Sequence, residues 1–359
     1  MKTGTSIYLW LALTILFGCS KPNPSENNPP QVVTQYCGSC HLVPDPSLLD
    51  KNTWRKLVLP AMAKQLGLEV WQGHNYFQGN TATITIEDWN KILAYYEDLA
   101  PIQLAEIDSN EQPSIDTTLF EISYPLLSSK SIATTTLVKI DTLNHQAWVG
   151  NAENNHLVVH DQSLHAVAEY HLPSPAVGMI NNSDETVVTC IGELKAIDVK
   201  AGELMQITQS SKMVLPLTKN QKFNRPIHTS ITDINKDGLT DYVVSSFGHN
   251  QGGLYLLKQN ADHTFESITL REIAGATEST IIDFNHDGWP DIVALFAHGD
   301  EGIWLFTNNK KGGFVSQPLL RFPPVYGSSG FQLVDFDNDG KLDILYTAGD
   351  NSDYSRILK

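Results

Sequence analysis

The chain has 359 residues, 41% of them apolar and 18% charged, the profile of a globular protein long enough for two domains rather than of a disordered or multi-span chain. Acidic residues outnumber basic ones 40 to 24, for a formal charge of −16. That balance argues against nucleic acid, which is bound mainly through Lys/Arg on phosphates, and against docking on anionic lipid; spread evenly, the surplus carboxylates would confer solubility, whereas clustered they would collect cations.

Lys2 is followed by an apolar run, Ile7 to Phe17, too short to span a bilayer and proportioned like the h-region of a signal peptide. It ends in Leu16-Phe17-Gly18-Cys19, which resembles the bacterial lipobox. The resemblance implies a signal peptide over residues 1–18, lipidation of Cys19 and a chain lipid-anchored to a membrane of the bacterial cell envelope. A plain secreted protein and a retained anchor helix are the alternatives. Ser20 stands where an Asp would resemble the inner-membrane retention signal, so the outer membrane is expected, on its periplasmic or its surface face. Residues 19–30 are rich in Pro, Asn and Ser and read as an extended tether.

Export places the other cysteines in an oxidising compartment. Cys190 sits alone in an apolar run and reads as a small buried strand residue. Cys37 and Cys40 stand in Cys37-Gly38-Ser39-Cys40-His41, the C-x-x-C-H pattern of covalent haem c attachment. On a helical segment residues i and i+3 face one way, so both thiols can form thioethers to one porphyrin edge while His41 presents its imidazole to the iron. A redox disulfide would not need the His, and a zinc site would need a second Cys/His pair that the downstream residues do not supply.

Helices are expected from Gln31 to Tyr36 and from Asn52 through Met62, with a bend or a new turn at Pro60. A third is expected from Thr85-Ile86-Glu87-Asp88, a capping-box-like start, through Trp89, Ile92, Leu93 and Tyr96 to a stop at Pro101. Residues 31–103 therefore resemble a cytochrome c fold. Met62, in Trp54-x7-Met62-Ala63-x3-Gly67, resembles the axial Met of short cytochromes c fused to oxidoreductases, which implies Met62 as the sixth iron ligand. Read from the residues alone, Met62 could equally fill the core, with His74 as the ligand or the iron left open.

From Pro101 to Asp116 the composition turns polar, and residues 104–116 are expected to be a linker. Short β-rich runs follow, among them 135–140, 146–149, 156–159 and 166–170, separated by Asn/Asp/Gly turns, which indicates a sandwich, barrel or propeller. Residues 117–225 carry only this general blade pattern. Beyond them a nonapeptide occurs three times, with starts 50 and 52 residues apart. The copies are Asp233-Ile234-Asn235-Lys236-Asp237-Gly238-Leu239-Thr240-Asp241, Asp283-Phe284-Asn285-His286-Asp287-Gly288-Trp289-Pro290-Asp291 and Asp335-Phe336-Asp337-Asn338-Asp339-Gly340-Lys341-Leu342-Asp343. Apolar runs on both sides make each one the loop of a hairpin.

Oxygen ligands at positions 1, 3, 5 and 9, a carbonyl at 7 and a Gly at 6 mirror the start of an EF-hand loop, although strands flank it and the twelfth-position Glu is absent. The candidate ligands are Asp233, Asn235, Asp237 and Asp241; Asp283, Asn285, Asp287 and Asp291; and Asp335, Asp337, Asp339 and Asp343. The expected ions are about three Ca²⁺ rather than Mg²⁺, which keeps a smaller, water-rich shell. One such loop could be a plain Asp/Asn turn, but three in register at a blade-sized period point to cations.

Over residues 226–359 these motifs resemble the VCBS/FG-GAP family, whose calcium-loop repeats also occur in integrin α-subunit propellers. The whole arrangement resembles bacterial lipoproteins with a short cytochrome c module ahead of a VCBS repeat region; the motif from Cys37 to His41, Leu59-Pro60-Ala61-Met62 and the stretch Val334 to Gly340 carry that comparison. The resemblance implies a mixed fold, a small all-α cytochrome c-like domain followed by an all-β propeller. About five blade-like units are present, and after Tyr346 the next strand found in the neighbouring repeats is missing. The propeller is therefore expected to be incomplete at its C-terminus, or to be closed by an N-terminal strand.

For function, the resemblance implies a membrane-anchored c-type cytochrome with haem c and Ca²⁺ as cofactors. It would act in electron transfer with a redox partner or another cell-envelope protein. Two alternatives stand beside it: a quinoprotein-like dehydrogenase that feeds the haem, and a non-redox adhesion or binding lipoprotein. No catalytic constellation stands out. His145, His156, His160, His165, His171, His228, His249 and His298 read as turn or surface residues.

Overall fold

The structure is a computed structural model that describes residues 28–72, 74–104, 134–182 and 185–349. Cys19, the signal segment and all but residue 104 of the expected linker lie outside the described residues.

Residues 28–104 form a mostly helical unit. Helix α1 (Gln31–Cys37) ends on the first cysteine of the C-x-x-C-H motif. Helix α2 (Lys51–Thr53) is capped by Asp50, whose Oδ1 accepts from Asn52 N at 2.9 Å and Thr53 N at 3.1 Å. It continues through a π-turn (Trp54–Val58) into α3 (Leu59–Gln65). Pro60 has no N–H to donate, and its ring would clash with a carbonyl one α-turn back. The wider π-turn, in which the Leu59 N–H bonds back to Trp54 O, carries the helix past it.

Helix α4 (Ile86–Leu99) starts where the capping box places it: Thr85 Oγ1 accepts from Asp88 N at 3.1 Å. Its stripe Trp89, Ile92 and Tyr96 is buried with Val33, Trp54, Leu59 and Ala63 in one core. The unit is not all-α, however. Gly67, at φ 79°, ends α3, and a hairpin of β1 (Glu69–Trp71) and β2 (Asn75–Phe77) follows, with Val70 and Tyr76 turned toward the core. A Cβ on Gly67 would lie 2.5 Å from Thr81 O, so both its backbone angle and its lack of a side chain admit the hairpin.

Residues 134–349 form five consecutive antiparallel sheets in a propeller-like arrangement. The first is β3 (Thr135–Asp141), β4 (Gln146–Asn151), β5 (His156–His160) and β6 (Ala166–His171). The second is β7 (Ala176–Asn182), β8 (Glu185–Cys190), β9 (Lys200–Thr208) and β10 (Met213–Pro216), with β11 (Phe223–Asn224) also on β9. The third and fourth are β12 (Pro226–Thr232) to β15 (Phe265–Arg271), through β13 (Asp241–Ser246) and β14 (Gly253–Gln259), and β16 (Ala276–Ile282) to β19 (Phe314–Arg321), through β17 (Asp291–Phe296) and β18 (Gly302–Asn308). The fifth has two described strands, β20 (Ser328–Val334) and β21 (Asp343–Ala348). The first strands of neighbouring sheets, β3, β7, β12, β16 and β20, lie side by side, as the inner strands of a propeller do.

Period-2 alternation explains the packing. On β17, Ile292, Ala294 and Phe296 face the third sheet, while Val293 and Leu295 face Phe331 of the fifth. Both β13 and β17 are covered on both faces and buried at every residue, and β17 accordingly reads as the unbroken apolar run Ile292 to Phe296. The outermost β15 and β19 are part-exposed with no fully buried residue, and their sequences carry no such run. Every sheet bears a register shift at the start of its first hairpin, at Thr135/Leu137, Ala176/Gly178, Pro226/His228, Ala276/Glu278 and Ser328/Gly330. Residues 134–224 are thus built as blades like the rest. His228 is neither a turn nor a surface residue: it lies on inner strand β12, its Nδ1 accepts from Ser279 N at 3.3 Å, and burial pushes it down to about 4.

Candidate functional sites

Two constellations carry chemistry. At the end of α1, the Gly38 N–H bonds Thr34 O at 3.1 Å and Ser39 Oγ donates to Tyr36 O at 2.8 Å, which winds the chain through the C-x-x-C-H motif. A Cβ on Gly38 would fall 2.3 Å from Thr34 O, so only glycine fits at position 38, directly after the first cysteine. Cys37 and Cys40 are both free thiols, Cys37 partly buried and Cys40 exposed. Burial pushes the Cys37 thiol up to about 11. The His41 ring is fixed through Nδ1, 2.7 Å from Leu42 O; a donating Nδ1–H leaves the lone pair on Nε2.

The loop after His41 is pinned from two sides, by Trp54 Nε1 donating to Pro46 O at 2.9 Å and Tyr96 Oη donating to Pro44 O at 3.1 Å. Cys37 and Met62 pack against the same core, and His74 is exposed near the β1–β2 turn. Within this core Trp89 Nε1 and Tyr76 Oη are buried without a hydrogen-bond partner. Two free thiols and an imidazole with one nitrogen fixed on one short segment, with the Met62 thioether on the core that Cys37 also touches, form a donor set of the types that hold a covalently bound haem.

The second constellation is the set of three acidic loops, each joining an inner strand to its neighbour: β12 to β13, β16 to β17 and β20 to β21. They share one bonding pattern. The position-1 carboxylate accepts from the N–H of positions 5 and 6: Asp233 from Asp237 and Gly238 at 3.0 and 2.9 Å, Asp283 from Asp287 and Gly288 at 2.9 and 2.8 Å, Asp335 from Asp339 and Gly340 at 3.0 Å each. The position-5 carboxylate accepts from position 7, at 2.8 Å from Leu239 N, 2.9 Å from Trp289 N and 2.8 Å from Lys341 N. Position 4 is left-handed in all three, at Lys236, His286 and Asn338, and Gly238, Gly288 and Gly340 follow at φ 84–85°.

Position 9 does more than the sequence suggests. Asp241 and Asp291 are fully buried, and each is a latch: Oδ2 takes the N–H of position 2 and Oδ1 the N–H of Gln259 or Asn308 on the next strand, at 2.8 to 3.1 Å. Burial pushes the Asp241 carboxyl above the ordinary range. In the third loop, carboxylate oxygens of Asp335, Asp337 and Asp343 lie within 4.8 Å of one another, a grouping whose mutual repulsion a cation would offset. Asp339 stands outside that trio, bonded to Lys341 Nζ at 2.8 Å; Asp287 likewise meets Lys310 Nζ at 3.2 Å, and Asp237 accepts from the Asn235 amide at 2.8 Å.

Sequence reasoning missed Asn308. This buried amide donates to Ile234 O in the first loop at 2.9 Å and to Pro290 O in the second at 3.2 Å, while Lys236 lies 5.1 Å from the Trp289 ring centre. The first two loops are therefore joined. The only sign of this in the sequence is an Asn at the end of the strand that follows the second loop.

A profile of FG-GAP-like repeats matches residues 233–294 and 283–346, so this part of the chain carries FG-GAP-like repeats. No curated protein matches the chain. Among solved structures it is similar to Kuenenia stuttgartiensis hydrazine synthase, at 13% identity and TM-score 0.38, over 54% of this chain and 57% of that one. It is also similar to the β-propeller domain of Cps50 (Swd1) from Myceliophteria thermophila, at 8% identity and TM-score 0.39, over 61% of this chain and 64% of that one. The matched portions thus span less than two thirds of either protein.

Proposed function

We propose that the protein is a c-type cytochrome of the bacterial cell envelope, lipid-anchored through Cys19, whose haem unit is fused to a calcium-stabilised propeller that serves as a binding platform. The observation that carries the haem assignment is the state of the C-x-x-C-H segment: two free thiols either side of a glycine that admits no side chain, and a His41 ring fixed through Nδ1. Cys37 and Cys40 would hold the group covalently, His41 Nε2 would be the proximal ligand and Met62 the distal one. When bound, haem c supplies a one-electron couple whose potential follows its axial ligands. The chain's own part is to hold the imidazole in one tautomer and to supply, from Trp54, Trp89 and Tyr96, the dry core against which Cys37 and Met62 pack.

The Asp and Asn side chains of the three loops would hold about three Ca²⁺, which hold the inner hairpins in register. A redox partner or another envelope protein would dock on the propeller. The FG-GAP-like repeats over residues 233–346 also support a second reading, a binding or adhesion module without redox function.

A pyridine haemochrome assay on protein matured in a bacterial periplasm separates the two. The first reading predicts one covalent haem per chain, lost in Cys37→Ala/Cys40→Ala, with a thioether charge-transfer band in the ferric form that disappears in Met62→Ala. Absence of haem leaves the binding module.

A further inference from the structure

We infer that the first blade carries a transition-metal site on its open face, formed by His156 and His171 and oriented by Glu169. The strand register places His156 of β5 directly opposite His171 of β6. Side chains opposite one another in an antiparallel pair have Cβ atoms about 4.5–5.5 Å apart, close enough for two imidazoles to reach one ion. The rings stand 4.1 Å apart between centres and nearly perpendicular, at 84°. Glu169 lies two residues before His171, on the same face of β6, and its Oε1 meets His156 Nδ1.

That contact is the arrangement in which a carboxylate takes the N–H of a metal-ligating histidine, fixing the tautomer and leaving Nε2 as the donor atom. His171 is exposed and can turn about its Cα–Cβ bond to bring its own nitrogen to the same ion, with water completing the shell.

The setting favours such a site. Val138, Val149, Val158 and Glu169 form one cross-strand row on the same face as the two histidines, and Val138 is 62% exposed. An ion pair alone would need one histidine; a second imidazole held against the first at this spacing is what chelation needs. The donor set selects the metal. Two imidazoles suit Zn²⁺, Cu²⁺ or Ni²⁺ and not Ca²⁺, which takes oxygen ligands, so this site and the acidic loops would sort two classes of cation on one propeller.

The test is a calorimetric Zn²⁺ titration of the full chain saturated with Ca²⁺, with Cys37 and Cys40 held as thioethers by haem or by alkylation so that neither thiol reports. The inference is then independent of whether haem is bound. The expected result is one site per chain, at least tenfold weaker in His156→Ala and in His171→Ala, and about 10- to 100-fold weaker in Glu169→Gln. X-ray absorption of the bound zinc should show two imidazole ligands. No binding by the parent chain, or an unchanged affinity in any of the three variants, overturns it.

Discussion

The first two blades and the last three solve the same turn in different ways. All five open with an inner hairpin carrying the same register shift. Yet the connection after the inner strand is residues 142–145 in the first blade and 183–184 in the second, against 233–240, 283–290 and 335–342 in the others. In the first blade Asp141 is fully served by neutral partners: Oδ1 takes the N–H of Leu143 and Asn144 at 3.0 Å, and Oδ2 the amides of Asn144 and Asn181 at 2.9 and 3.1 Å. The Asn144 side chain in particular holds its carboxyl below the usual range. The acidic loops add three or four carboxylates with few cationic side chains to meet them. The blade architecture therefore does not require the acidic loops; they are an addition that concentrates negative charge, which the proposed Ca²⁺ would offset.

The largest test of this contrast is calcium removal. An ion present at 100 times its Kd stabilises the folded chain by about 2.7 kcal/mol per site, so three sites add roughly 8 kcal/mol. Chelator should lower the melting temperature of the last three blades by tens of degrees in calorimetry and leave a calcium-independent transition for the first two. A single unshifted transition would remove the distinction.

Acid comes next, because His228 sits on the inner strand that meets the second and fourth blades. Its folded value, near 4, lies below the unfolded value of about 6.5, so the unfolded chain binds the extra proton in between and stability falls as pH drops through that window. The loss approaches about 3 kcal/mol at pH 4, and His228→Gln should flatten the pH dependence of urea midpoints.

Asn308→Ala should cost about 2–3 kcal/mol by leaving buried carbonyls unmet, and should weaken calcium binding at the first two loops but not at the third. Isothermal titration resolves this as two altered sites and one unaltered. The smallest effect belongs to Gly238→Ala. No atom lies within 4 Å of the added Cβ, so the cost is backbone strain alone at φ 85°, about 1–2 kcal/mol, seen as a small shift in the same titration.

Legibility in the sequence followed local chemistry. The nonapeptides declare themselves because position 6 must be glycine and positions 1 and 5 must accept backbone N–H groups; α4 declares itself through Thr85 and the spacing of Trp89, Ile92 and Tyr96. Features set by tertiary partners stayed hidden. The outer strands β15 and β19 are half-solvated and lack an apolar run, the β1–β2 hairpin depends on the space beside Gly67, and the burial of His228 depends on the blade packed against it. The recurring register shift has no residue signature, since it is a property of two backbones together. At the candidate sites, the ligand-type residues could be read directly, but the latch made by Asp241 and Asp291 and the bridge made by Asn308 could not.

The central claim is that the acidic loops are calcium sites while the corresponding turn of the first blade is not, and hydrogen exchange with and without Ca²⁺ tests it most directly. Calcium should slow exchange of the Asp237, Gly238, Asp287, Gly288, Asp339 and Gly340 amides and leave Leu143 and Asn144 unchanged. Equal protection in both conditions, or an equal gain at Leu143 and Asn144, would contradict it.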